Sequence, residues 1–117
     1  MLSLISVALF AVQDAKAVAK PRIRFEDRTA SAGLMHNHVC SDPTGMCQMT
    51  GGVTVGDFND DGWPDLFVLA GSRMGADKLY LNQRDGTFVD HASAWGVARS
   101  HMGVGATAGD VNGDGRM

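Results

Sequence analysis

The chain has 117 residues, a formal net charge of −3, 44% hydrophobic and 20% charged residues. This is globular composition for one domain at most and excludes a disordered tail. A pI near 5.7 without a Lys/Arg cluster argues against electrostatically driven nucleic-acid binding, and no apolar run reaches the roughly 18 residues of a membrane-spanning helix.

Two biases point to β-structure and turns. Gly occurs 15 times, and the 13 acidic residues are all Asp except Glu26. Asp and Gly favour turns and oxygen-rich loops, whereas the helix former Glu is nearly missing.

Leu2–Val12 (LSLISVALFAV) has the length of a signal-peptide apolar core. Ala15 and Ala17 place small residues for cleavage after Ala17, and cleavage after Ala19 fits equally well. No Lys or Arg precedes the apolar run. The expectation is a signal peptide over residues 1–17 and a secreted, extracellular or periplasmic product. A buried N-terminal helix or strand is the competing reading.

Phe25-Glu-Asp27 opens the next element, which ends at Gly33-Leu34. Cys40 and Cys47 then flank a Pro-Thr-Gly turn. In an oxidising compartment they would form a disulfide. His36 and His38 lie close before them, but the spacing matches no standard zinc pattern. Free thiols are the third reading.

From Val53 onward the pattern predicts four short strands: Val53–Gly56, Leu66–Ala70, Lys78–Asn82 and Thr87–Asp90. The Asp85-Gly86 pair marks a hairpin between the last two. A second inner strand is expected after His101-Met102.

Two internal repeats organise these elements. Gly52–Pro64 (GVTVGDFNDDGWP) lies over Gly105–Met117 (GATAGDVNGDGRM) at an offset of 53, with seven identities in thirteen ungapped positions. Phe25-Glu-Asp27 … Gly33-Leu34 matches Phe88-Val-Asp90 … Gly96-Val97. The longer first connection makes the Cys40–Cys47 segment a loop insertion. Four antiparallel strands in a period near 53 residues read as a β-propeller blade. A β-sandwich would have similar strands but gives no reason for the repeat.

The loop from Asp57 to Asp65 carries oxygen side chains at its positions 1, 3, 5 and 9: Asp57, Asn59, Asp61 and Asp65. Hard cations such as Ca²⁺ take six to eight oxygen ligands, and the Trp63 carbonyl adds a backbone donor. Gly62 permits the sharp turn. Asp60 points away and is expected to be solvated. Position 12 is Val68 rather than Glu, so the loop is not an EF-hand. The bland alternative is an Asp/Asn/Gly-rich hairpin without metal. The recurrence at Asp110, Asn112 and Asp114 argues for a metal, although the second loop has Arg116 at position 7 and no position 9, so weak or no binding is expected there.

These motifs resemble the FG-GAP/VCBS repeat, the calcium-loop blade of integrin-α-like β-propellers. Among such proteins the chain looks most like the cartilage acidic protein 1/UnbV (ASPIC) group. The residues that carry the likeness are Phe25–Leu34, Gly51–Val68, Leu79–Asn82, Asp85–Phe88 and Gly105–Gly115. The resemblance implies an all-β propeller, seven-bladed in the parent fold, with Ca²⁺ bound in hairpin loops on one face. It implies Asp57, Asn59, Asp61 and Asp65 as ligands, with Trp63 through its carbonyl, and a role in extracellular adhesion or matrix interaction. The Cys40/Cys47 insertion has no place in that pattern.

On this reading residues 18–117 hold one full blade, 52–90, plus parts of its neighbours. The expectation is an N-terminal fragment whose remaining blades are missing from this chain and whose open faces would aggregate.

No catalytic residue is expected. His36, His38, His91 and His101 are acid–base candidates, yet no Ser or Cys has a spacing that ties it to one as a nucleophile. The methionines beside them would suit copper but more simply fill loops. Trp63 and Trp95 could stack on a sugar or peptide. The resulting expectation is a non-catalytic, calcium-binding module for an extracellular protein or glycan ligand. The alternative is the propeller part of a secreted enzyme, a polysaccharide lyase or phospholipase, with its chemistry beyond residue 117.

Overall fold

The computed structural model describes residues 22–38 and 44–117. The expected leader over 1–17, and Cys40 of the expected Cys40–Cys47 bridge, fall outside the described residues. A short 3-10 turn, Met46–Met49, leads into four strands: β1 (Gly52–Gly56), β2 (Asp65–Leu69), β3 (Lys78–Asn82) and β4 (Phe88–Asp90). They form one antiparallel sheet in the order β1-β2-β3-β4. The fold is all-β, as the alternation and turn residues require.

Four strand ends differ by one residue from the sequence expectation: β1 starts at Gly52 rather than Val53, β2 runs Asp65–Leu69 rather than Leu66–Ala70, and β4 starts at Phe88 rather than Thr87. Asp65 is the first residue of β2, paired with Gly56, rather than the last residue of the loop. Its backbone extends the ladder by one pair, while its carboxylate reaches both the loop and β3.

Register explains which side chains are covered. Phe67 faces Leu79 across β2 and β3, and Leu81 faces Val89 across β3 and β4. Because side chains alternate along a strand, Phe67, Leu69, Leu79 and Leu81 share one face. Leu79, Leu81 and Ala92 form the core there, with Phe58, Phe67, Val97 and Ala98 packed around it. The opposite face carries Val53, Val55, Leu66, Val68 and Tyr80. Tyr80 is buried, but Val53 and Val55 stay more than half exposed. Both faces are therefore apolar, as in a sheet stacked between neighbours.

The Phe-x-Asp repeat is structural as well as sequential. Ala32, Gly33 and Leu34 donate to the carbonyls of Arg28, Ala30 and Thr29, and Trp95, Gly96 and Val97 donate to those of His91, Ser93 and Ala92. Asp27 accepts the Thr29 N–H just as Asp90 accepts the Ala92 N–H. The first copy docks on the sheet: Phe88 N–H donates to the Ala32 carbonyl at 2.8 Å. A side chain at Gly33, where φ is +74°, would lie 2.8 Å from the Phe88 carbonyl.

The segment after His101 does not form the second inner strand. It lies beside the start of β1, where the Gly51 N–H donates to the Gly103 carbonyl at 2.7 Å. That contact is a single bond, and the Gly/Ala sequence supplies little side-chain surface to extend it into a ladder.

Candidate metal centre

The loop between β1 and β2 curls because its own side chains satisfy its backbone. Asp57 accepts the Asp61 N–H through Oδ1 at 3.0 Å and the Gly62 N–H through Oδ2 at 2.7 Å. The Asn59 side-chain carbonyl shares the Asp61 N–H at 3.1 Å, and its amide donates to Asp61 Oδ2 at 3.1 Å. Asp61 Oδ1 accepts the Trp63 N–H at 2.9 Å. Gly62 sits at φ +84°, a conformation that glycine adopts without steric cost. Asp57, Asn59 and Asp61 thus turn their oxygens onto the same short stretch of backbone.

The second loop repeats this circuit. Asp114 N–H donates to Asp110 Oδ1 and to the Asn112 carbonyl, Gly115 N–H to Asp110 Oδ2, the Asn112 amide to Asp114 Oδ2, and Arg116 N–H to Asp114 Oδ1. Each bond has its counterpart 53 residues earlier. Gly115 matches Gly62 with φ +87°, and Gly113 (φ +75°) matches Asp60, a non-glycine residue at φ +58°. Asp60 is exposed, as expected, and its carboxylate pairs with Arg116 of the second loop at 3.1 Å.

Asp65 differs from the other three. Its side chain is fully buried. One oxygen accepts the Phe58 N–H at 3.0 Å and the other the Asn82 N–H at 2.8 Å. Asn82 also donates its side-chain amide to the Pro64 carbonyl at 3.0 Å. Asp65 and Asn82 therefore bolt the loop to the β3–β4 hairpin. Sequence reasoning passed over Asn82; an Asn closing a strand just before a Gln-Arg-Asp-Gly turn is its only local signal.

The charges follow from these contacts. Partial burial pushes the Asp61 carboxyl up, but the Trp63 N–H, the Asn59 amide and the Arg84 guanidinium outweigh it and hold it below its ordinary value. Asp110 is also lowered, chiefly by the Gly115 N–H. Carboxylates that stay ionised are the form a hard cation needs.

The donor set is oxygen only, which suits Ca²⁺ rather than a softer metal. The carboxylates alone do not make a cage: among the described residues no three His, Cys, Asp or Glu side chains stand together in metal-holding geometry. The Asn59 and Trp63 oxygens belong to the same loop. Each carboxylate oxygen that accepts one N–H keeps a further lone pair.

The histidines lie apart from this loop in sequence and contacts. His101 Nδ1 is 3.3 Å from the buried Asp77 carboxylate. Asp77 also accepts the Ala70 N–H at 2.9 Å and donates its own N–H to the Arg99 carbonyl. Asp77 thus braces the β2–β3 connection as Asp65 braces the other end. His36 is half-buried, and burial first, then His38 and Lys78, lower its pKa against the pull of Asp77. His91 donates its backbone N–H to the Leu79 carbonyl at 2.7 Å. Trp95 is 46% exposed where its repeat partner Ala32 is buried. It lines an open apolar cleft with Phe58, Phe67, Leu79 and Val97.

A four-stranded antiparallel meander, apolar on both faces and carrying an Asp loop that recurs after 53 residues, defines a β-propeller blade. The FG-GAP-like repeat family matches residues 48–117, more than half of the chain. The chain belongs to that family. Comparison with curated proteins and with solved structures gave no match. No helix among the described residues is long and apolar enough to cross a membrane.

Proposed function

We propose that the chain is a secreted, calcium-binding β-propeller module that serves extracellular binding or adhesion without catalysis. The observation that carries this reading is the duplicated hydrogen-bond circuit of Asp57–Trp63 and Asp110–Arg116. Two loops in one chain turn the same carboxylate and amide oxygens onto the same stretch of their own backbone.

In the first loop Asp57, Asn59, Asp61 and Asp65 hold the ion, with the Trp63 carbonyl. A bound Ca²⁺ supplies positive charge that offsets the repulsion among these carboxylates. Asp57 orients the loop through Asp61 and Gly62, Asn59 fixes Asp61, and Asp65 anchors the loop to β3. Asp110, Asn112 and Asp114 form the weaker second site. Likeness to the ASPIC group rests on Phe25–Leu34, Gly51–Val68, Leu79–Asn82, Asp85–Phe88 and Gly105–Gly115. The ligand is an extracellular protein or glycan, and the export reading rests on Leu2–Ala17.

Calorimetric titration of the full chain with Ca²⁺ tests the site. The expected result is saturable binding that Asp57→Ala weakens by roughly tenfold or more. Equal binding by both proteins, or none by either, rejects the assignment.

A further inference from the structure

We infer that Arg84 is the resident counter-cation of the Asp57–Asp65 loop, holding Asp61 when no ion is bound and giving way to a divalent cation, so that it sets the loop's affinity. The inference rests on the calcium reading above and deepens it.

Arg84 belongs to the β3–β4 hairpin, far from the loop in sequence. Its Nη2 lies 3.2 Å from Asp61 Oδ2 and 3.4 Å from the Asp61 carbonyl oxygen. The guanidinium therefore grips both the side chain and the backbone of one loop residue. Both contacts come from that one nitrogen, on a guanidinium that carries its positive charge at any working pH.

The hairpin is built to deliver this contact. Arg84 has φ +67°, a left-handed conformation uncommon for a residue with a Cβ. Its N–H donates to Asn82 Oδ1 at 2.9 Å, and the Gln83 N–H closes the turn on the Thr87 carbonyl at 2.9 Å. Asn82 in turn is fixed to Pro64 and Asp65. One short path thus runs from the buried end of the loop, through Asn82, to the arginine that returns to Asp61.

The second loop provides an internal contrast. Asp114 keeps every bond that Asp61 makes within its loop, yet no arginine pairs with it among the described residues. The duplicated circuit therefore forms without the arginine, and Arg84 is an addition to the first loop. A cation that neutralises a ligand competes with any ion that needs the same oxygen.

Arg84→Gln keeps the stem and a hydrogen-bonding head but removes the charge. Titration of the full-length chain with Ca²⁺ is expected to show about two- to fivefold tighter binding by Arg84→Gln than by wild type, the range that an exposed ion pair is worth. Arg84→Lys, which keeps the charge without the guanidinium, is expected to fall between them. In chelator the Arg84→Gln melting temperature should fall below that of wild type, and saturating Ca²⁺ should narrow the difference. Unchanged or weaker affinity in both variants, with wild type still binding, overturns the role of Arg84 alone. No binding by wild type overturns the calcium reading itself, and the inference with it.

Discussion

Asp65, fully buried at the start of β2, accepts the backbone N–H of Asn82 at the end of β3 at 2.8 Å. Its second oxygen holds the Phe58 N–H inside the Asp loop. One side chain therefore couples the loop to the sheet. Asp65→Ala leaves both N–H groups without this partner, which costs about 2–5 kcal/mol of folding stability. Urea denaturation in chelator measures this term apart from any metal effect. A loss under about 0.5 kcal/mol would show that the brace is dispensable.

Gly33 allows the turn at 28–36 to approach β4. Gly33→Ala places a Cβ against the Phe88 carbonyl at a residue with φ +74°. The expected loss is about 1–3 kcal/mol, with faster hydrogen exchange at the Phe88 amide because its bond to Ala32 is disturbed. Exchange unchanged at Phe88 would contradict the docking role.

Lys78 and Asp90 form a 2.7 Å ion pair whose side chains are about one-third exposed (34% and 31%). Burial pushes the Asp90 carboxyl up, but Lys78 and the Ala92 and Leu79 N–H groups prevail, and its pKa lies below 3.8. The Asp90 bond raises Lys78 above 10.5 against its burial. The contribution is thus full between those two ordinary values. It is lost as pH falls through the depressed Asp90 pKa or rises through the elevated Lys78 pKa. Lys78→Met should cost at most about 1 kcal/mol near neutral pH, and the difference from wild type should shrink near pH 3. A difference that grows in acid would contradict the assignment.

The two loops should differ in strength. Asp61→Ala is expected to weaken Ca²⁺ binding by roughly tenfold or more, and Asp114→Ala to change total binding far less, because Asp110, Asn112 and Asp114 are exposed to competing water whereas Asp57, Asn59 and Asp61 are half-buried. Paired titrations of the two variants check this. Equal losses would show two equivalent sites.

The sheet was legible because its signals are local. Alternation in Val53–Gly56, the apolar run after Asp65 and the Asp85-Gly86 turn each act within a few residues. The loop was legible for the same reason, and its repeat at Asp110–Gly115 returned the same bonds. What escaped were contacts between separate elements: Asp65 with Asn82, Arg84 with Asp61, Asp77 with Ala70 and His101. An Asp in a strand and an Asp in a loop look alike until the chain folds. The Tyr80 hydroxyl, buried with no hydrogen-bond partner among the described residues, was equally unreadable from an alternating Lys-Leu-Tyr-Leu-Asn strand.

The most direct test of the calcium assignment is the melting temperature of the full chain in excess Ca²⁺ and in chelator. An ion that binds only the folded state stabilises it by about 2.7 kcal/mol at a hundredfold excess over Kd. For a domain of this size that raises the melting temperature by roughly 10 °C or more, and Asp57→Ala should abolish most of the rise. Identical melting temperatures in the two conditions would contradict the account.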